Sequence, residues 1–165
     1  MASIDQFKAQ LLGGGPRANR FRVFIPRTGN KIEFRCQSAQ IPAATLGVVE
    51  QQFRGHVLKL AGDRTFEPWT VTIINDVEFS ARTALEGWQT DIQDLDSGEG
   101  QTNLDYLVDR AFVEQLNKDD SVLARYEFFN MFPTSIGAID LSYETVDTLE
   151  TFDVEFQYSH WERVL

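Results

Sequence analysis

Alternation of apolar and polar positions dominates this chain. Trp69, Val71 and Ile73 fall on one side of an extended segment, with Thr70 and Thr72 on the other. Pro68 stands at its start, where a missing N–H does least harm. Upstream, Gly62-Asp63 predicts a tight turn feeding the strand. Residues 152–158 repeat the pattern: Phe152, Val154, Phe156 and Tyr158 face in, and Asp153, Glu155 and Gln157 face out. Phe21, Val23 and Ile25 alternate with Arg20, Arg22 and Phe24, and Ile32, Phe34 and Cys36 with Lys31, Glu33 and Arg35. Thr28-Gly29-Asn30 between these runs predicts a hairpin. Residues 38–47, with Pro42, read as a loop, and 48–54 with 57–60 as a second hairpin around Gly55. Residues 108–116 and 122–131 form a third, joined through 117–121. The 122–131 run is apolar on both sides, which predicts a strand buried on two faces, inside a sandwich or against another subunit. Residues 133–137 predict a turn and 138–143 a further strand.

Helical spacing occurs twice. Ala81, Leu85, Trp88 and Ile92 recur on one stripe and predict a helix packed on the sheet. Near the N-terminus, Ile4, Phe7 and Leu11 share a face, and Ser3 with Gln6 has the spacing of a capping box. Gly13-Gly14-Gly15-Pro16 ends that segment as a joint. Residues 1–18 therefore read as an arm, which needs something to pack on, and residues 19–165 as a single β-domain. The expected fold is mainly β: a two-sheet sandwich or barrel with one flanking helix and an N-terminal arm.

Charge adds a polarity. Residues 1–64 hold ten Lys/Arg against four Asp/Glu, and residues 65–165 hold five against twenty-one. A formal +6 thus precedes a formal −16 within a net −10. The balance disfavours non-specific attraction to nucleic acid or anionic membrane. It suits a polar subunit whose basic surface meets a neighbour's acidic one. No run approaches the roughly 20 apolar residues of a membrane span, and the first residues lack the basic and apolar regions of a signal peptide.

Candidate chemistry is sparse. Cys36 is the single cysteine, which excludes an intramolecular disulfide framework; on an apolar strand face it reads as a buried, inert thiol. His56 lies in a predicted turn and His160 near the C-terminus, neither in a ligand or nucleophile–base spacing. Asp94-x-Asp96 starts like a calcium loop, but Glu99 and Asp105 stand where Gly and Glu are needed. The glycine run lacks a preceding strand and a following Gly-Lys-Ser/Thr, and no G-x-S-x-G elbow exists. No enzyme, cofactor or metal is expected.

Several segments in order resemble the tail tube proteins of T-even-type contractile-tailed bacteriophages. They are the Gly-Gly-Gly-Pro-Arg-Ala-Asn-Arg-Phe run at 13–21, Phe34-Arg35-Cys36-Gln37, Ile41-Pro42-Ala43 and the dense stretch 61–76. Further matches run through Ala81-Arg82, Trp88-Gln89, 132–137, 150–154 and 158–162. The resemblance implies a non-enzymatic virion component, assembled in the host cytoplasm, in which hexameric rings stack head-to-tail into a hollow tube. Strands of all subunits join into one barrel around a lumen that passes the tape measure protein and then DNA. Sheath, baseplate and tube-initiator proteins are the implied partners. The excursion at residues 37–64 is the implied inter-ring contact, with Arg54, Lys59 and Arg64 as stacking candidates. An acidic bore repels phosphates and leaves DNA mobile, and Glu114 and Glu127 are the lumen candidates. The alternatives are a baseplate tube-initiator, a type VI secretion-like or extracellular injection tube protein, or, in another class, a small β-barrel ligand-binding module with Trp69 and Trp88 lining its cavity.

Overall fold

The most regular alternations of the chain become neighbouring strands. The computed structural model describes residues 3–165, apart from the side chain of Leu12. In chain order its elements are helix α1 (Ile4–Gln10), strands β1 (Phe21–Phe24), β2 (Cys36–Ala39), β3 (Ala44–Phe53), β4 (His56–Phe66) and β5 (Trp69–Ile74), and helix α2 (Ser80–Ile92). Strands β6 (Ala111–Leu116), β7 (Val122–Phe129), β8 (Phe132–Ile136), β9 (Thr151–Gln157) and β10 (His160–Arg163) follow. Two four-stranded antiparallel sheets, ordered β1-β6-β7-β10 and β2-β5-β9-β8, form a sandwich, while β3 and β4 pair only with each other. This is the expected two-sheet β-domain with a flanking helix.

The core follows from register. Trp69, Val71 and Ile73 of β5 stand opposite Phe156, Val154 and Phe152 of β9, so six apolar side chains share one face. Across the sandwich they meet Val23, Val113 and Phe128, and the Trp69 and Phe128 rings lie 4.5 Å apart. Helix α2 buries Ala81, Leu85 and Trp88, the predicted stripe. Both buried indoles keep their N–H groups satisfied: Trp69 donates to the Gln40 carbonyl at 2.7 Å and Trp88 to that of Tyr106 at 2.8 Å. At the start of α2, which follows Phe79 at positive φ, the Asp76 carboxylate accepts from the Ser80 N–H at 3.0 Å and its hydroxyl at 2.8 Å.

Five expectations are corrected. The predicted hairpin over 21–36 does not form, because Pro26 opens a 3-10 turn, Pro26–Thr28, that diverts the chain. Ile32 is buried from a turn, and Cys36 starts β2, which joins the opposite sheet by pairing with β5. Gly62-Asp63 lies inside β4, so the predicted turn there is a stretch of strand. The reversal occurs at Arg54-Gly55, both at positive φ (46° and 79°), as a two-residue hairpin turn requires. Residues 133–137 are largely strand β8, with Pro133 at a register irregularity on a sheet edge, where its missing N–H is tolerated. Residues 138–143 contain no strand. Finally, β7 is not buried on both faces: Phe128 is enclosed, but Leu123 is exposed on the outer side.

Candidate assembly surfaces

The β3–β4 hairpin meets the core only at its base, where Phe66 packs against Tyr158 and Trp161. Strands of ten and eleven residues have no buried position between them. Leu46, Val48, Val49, Phe53, Val57, Leu58 and Leu60 are all exposed on it, and clustered exposed apolar residues of this kind mark interaction surfaces. A two-stranded hairpin is at best marginally stable by itself. The three stacking candidates occupy different places on it. Arg54 sits in the turn with its guanidinium 5.3 Å from the Phe53 ring centroid. Lys59 faces Glu50 across the hairpin, 3.8 Å away. Arg64 is exposed near the base, opposite Leu46.

The sandwich also ends in open edges. Each sheet has two: β1 and β10 in one, β2 and β8 in the other. Their unpaired N–H and C=O groups are ready to continue the ladder with another chain.

On the outer face of the β1-β6-β7-β10 sheet, Arg22, Glu114 and Arg125 stand in one cross-strand row. Glu114 is 0% exposed. One carboxylate oxygen accepts from Arg22 Nε at 2.8 Å, and the other from Arg125 Nε at 2.6 Å. The Arg125 guanidinium also lies 4.5 Å from the Phe112 ring centroid, and Phe112 stacks on Phe24. Glu114, a lumen candidate, thus has its charge met by two arginines and ties three strands together. Glu127 is half-buried on the same face, directly opposite Phe112 on one side and Glu162 on the other. His160 stacks on Phe129 at 4.7 Å and lies 3.7 Å from Glu162. Like-charged Glu127 and Glu162 facing each other leave this part of the sheet acidic.

Residues 138–150 form a second exposed apolar segment, carrying Leu141, Tyr143, Val146 and Leu149 among Asp140, Glu144, Asp147 and Glu150. Helix α1 buries none of its residues, although its capping box is formed and Ile4, Phe7 and Leu11 are exposed. The arm touches the domain where Lys118 Nζ donates to the Gly13 carbonyl at 3.2 Å and Gln115 Nε2 to that of Arg17 at 2.8 Å. In the acidic loop, the Ser97 N–H and hydroxyl hold the Asp94 carboxyl below the usual carboxylate range, so its oxygens serve a local turn. Among the described residues no group of three His, Cys, Asp or Glu is placed to hold a metal ion.

These surfaces are those of a subunit, and the family agrees. The family described as phage tail tube protein matches residues 16–164. The chain belongs to that family. It is 30% identical to the tail tube protein gp19 of Enterobacteria phage T4 over 164 residues, spanning 96% of this chain and 98% of that one. To the tail tube protein of Serratia phage KSP90 it is 26% identical, over 96% of this chain and 95% of the relative. Among solved structures, a chain of the sheath/tube terminator of an extracellular contractile injection system superposes with a TM-score of 0.70 at 14% identity, covering 92% of this chain and 97% of that one. A chain of the corresponding sheath-tube complex gives 0.62 at 16% identity, over 99% and 98%.

The ligand-module alternative loses its cavity, since Trp69 and Trp88 are each 1% exposed and packed into the core. Sequence reasoning missed the Arg22–Glu114–Arg125 row. Each residue sits at a polar position of an alternating strand, but the β6–β7 register brings Arg125 to Glu114, and only pairing of β1 with β6, across about ninety residues, brings Arg22 to them.

Proposed function

We propose that this chain is the structural subunit of a contractile bacteriophage tail tube, a virion component whose rings stack head-to-tail into a hollow conduit. The observation that carries this reading is the hairpin β3–β4, which has no buried residue in a chain of the tail tube family. An element so apolar and so exposed is completed by another molecule. In-ring contacts run through the open edges β1 and β10, extending the sheet from copy to copy. A chain of the same fold (TM-score 0.66) occurs in the anti-feeding prophage baseplate, whose structure is 6-fold symmetrised; this supports a hexameric ring. The hairpin, with Arg54 and Arg64 at its two ends, reaches the next ring, and Lys59 adds charge beside it. Such an interface is heterologous and propagates without closing.

The outer face of the β1-β6-β7-β10 sheet lines the bore, with Glu127 and Glu162 as its acidic residues. A lining of that sign does not retain phosphates, so tape measure protein and DNA pass without specific binding. Sheath and baseplate proteins cover the outside and the end of the tube. The arm, residues 1–18, adds a second contact between copies.

Negative-stain electron microscopy of the purified chain tests the reading. Stacked rings forming long tubes are expected. A protein that stays monomeric at high concentration would overturn it, and single rings that never stack would move the assignment to a tube-initiator.

A further inference from the structure

The two faces of the hairpin differ, and a bulge sets where they point. From the turn to the middle, Phe53 pairs with His56, Gln52 with Val57, Gln51 with Leu58, Glu50 with Lys59, Val49 with Leu60 and Val48 with Ala61. Directly opposed residues share a face, so Val49, Phe53, Leu58 and Leu60 lie together on one side. Gln51 and the His56 imidazole are the polar groups among them. The other side carries the Glu50–Lys59 pair, with Val48, Ala61, Gln52 and Val57. Phe53 is 66% exposed and Leu58 57%, so the uncharged side is open to water in the subunit.

Below Val48 the register shifts. Leu46 pairs with Arg64 but Val48 with Ala61, so Gly62 and Asp63 together oppose Gly47. The two strands approach closely there, more tightly at Gly62 than at Gly47. A Cβ on Gly62 would stand 3.1 Å from the Gly47 carbonyl group, and one on Gly47 would stand 3.4 Å from the Asp63 carbonyl oxygen. A bulge of this kind bends its strand and increases local twist. It separates a base, 44–46 with 64–66, from the distal hairpin.

We infer that the bulge at Gly62-Asp63 opposite Gly47 aims the uncharged face of the distal hairpin, Val49, Phe53, Leu58 and Leu60, at a second copy of this chain. The inference rests on the tube reading above and says which face makes the contact. The chain itself supplies the complementary surface. Residues 138–150 expose Leu141, Tyr143, Val146 and Leu149 and carry four carboxylates with no Lys or Arg. The hairpin face is flanked by Arg54 at the tip and Arg64 at the base. Apolar surface thus meets apolar surface, with opposite charges at the rim.

Three variants test this against the wild-type chain by sedimentation and electron microscopy. Leu58→Gln with Leu60→Gln should raise the critical concentration for tube growth on the order of 100-fold, because two large side chains lose their burial. Val48→Gln with Val57→Gln, on the charged side, should leave it within about 3-fold, as for exposed positions. Deleting Gly62 restores one-to-one pairing, since Asp63 then faces Gly47 alone; every face and charge is kept and only the bend is lost. That protein should melt as the wild type does, because the hairpin beyond the bulge adds nothing to the core and Phe66 at its base is kept, yet form rings that do not stack. Full-length tubes from the deletion, or an effect of the Val48/Val57 pair as large as that of the Leu58/Leu60 pair, would overturn the inference. A wild-type chain that makes no tubes would instead overturn the tube reading itself.

Discussion

Strands β5 and β4 are separated by two residues and have opposite fates. In β5, Trp69, Val71 and Ile73 are buried at every second position. In β4, just upstream, Val57, Leu58 and Leu60 are exposed although they are as apolar. The difference is not hydrophobicity but partners. β5 has two strand neighbours and a second sheet beneath it, whereas β4 has only β3. One strand completes the subunit; the other, in the proposed tube, is completed by a second one. An obligate interface resembles a core cut in half, so the two segments look alike until they are placed in space.

Mutation breaks the comparison most strongly at the core. Trp69→Ala removes a ring that meets Phe128 at 4.5 Å and Phe156 at 5.8 Å. It should cost about 3–5 kcal/mol of subunit stability in denaturant titration. The matched change Leu58→Ala on the hairpin should alter that stability by less than about 0.5 kcal/mol. A smaller effect comes from Glu114→Gln on the outer face of the other sheet. Removing a buried carboxylate's charge leaves Arg22 and Arg125 facing each other, at a cost of about 2–4 kcal/mol, below a fully buried pair because both guanidinium groups keep some water. It should lower stability without changing where rings stack.

Acid sharpens the contrast further. Desolvation opposes ionisation of Asp76, but the Ser80 hydroxyl, then Arg35 at 3.1 Å and the Ser80 N–H outweigh it and hold the carboxyl below the usual range. A depressed carboxyl contributes stability above its unfolded value of ~3.9, which is lost as pH falls through the lower folded value. Asp76→Asn should therefore flatten the acid limb of the stability–pH profile below about pH 4 and leave the hairpin contact unaffected. The smallest effect is at Cys36, whose thiol burial pushes up to about 12. It stays protonated at neutral pH, so alkylation by iodoacetamide should be slow in the folded subunit and fast after denaturation.

The alternating runs at 69–75 and 152–158 and the helical stripe through Trp88 were legible because each depends on one segment's own periodicity. The capping box of Ser3 and Gln6 was legible for the same reason. The fate of 26–36 was not, since Pro26 and Ile32 act through a turn that sends β2 to the other sheet. Gly62 reads as a turn residue in isolation; only Gly47 opposite makes it a bulge. Strand β10 is short and mixed in character, and its pairing with β7 defines it. Of the site, the exposed hairpin was placed by pattern and resemblance. Its two unlike faces, and the enclosure of Glu114 between two arginines, depend on cross-strand register.

Hydrogen–deuterium exchange, compared between the dissociated subunit and the assembled polymer, tests the central claim most directly. Amides of β5 and β9 should be protected in both states, while those of residues 44–66 should exchange quickly in the subunit and become protected on assembly. A polymer in which the hairpin exchanges as fast as in the free subunit would contradict the account.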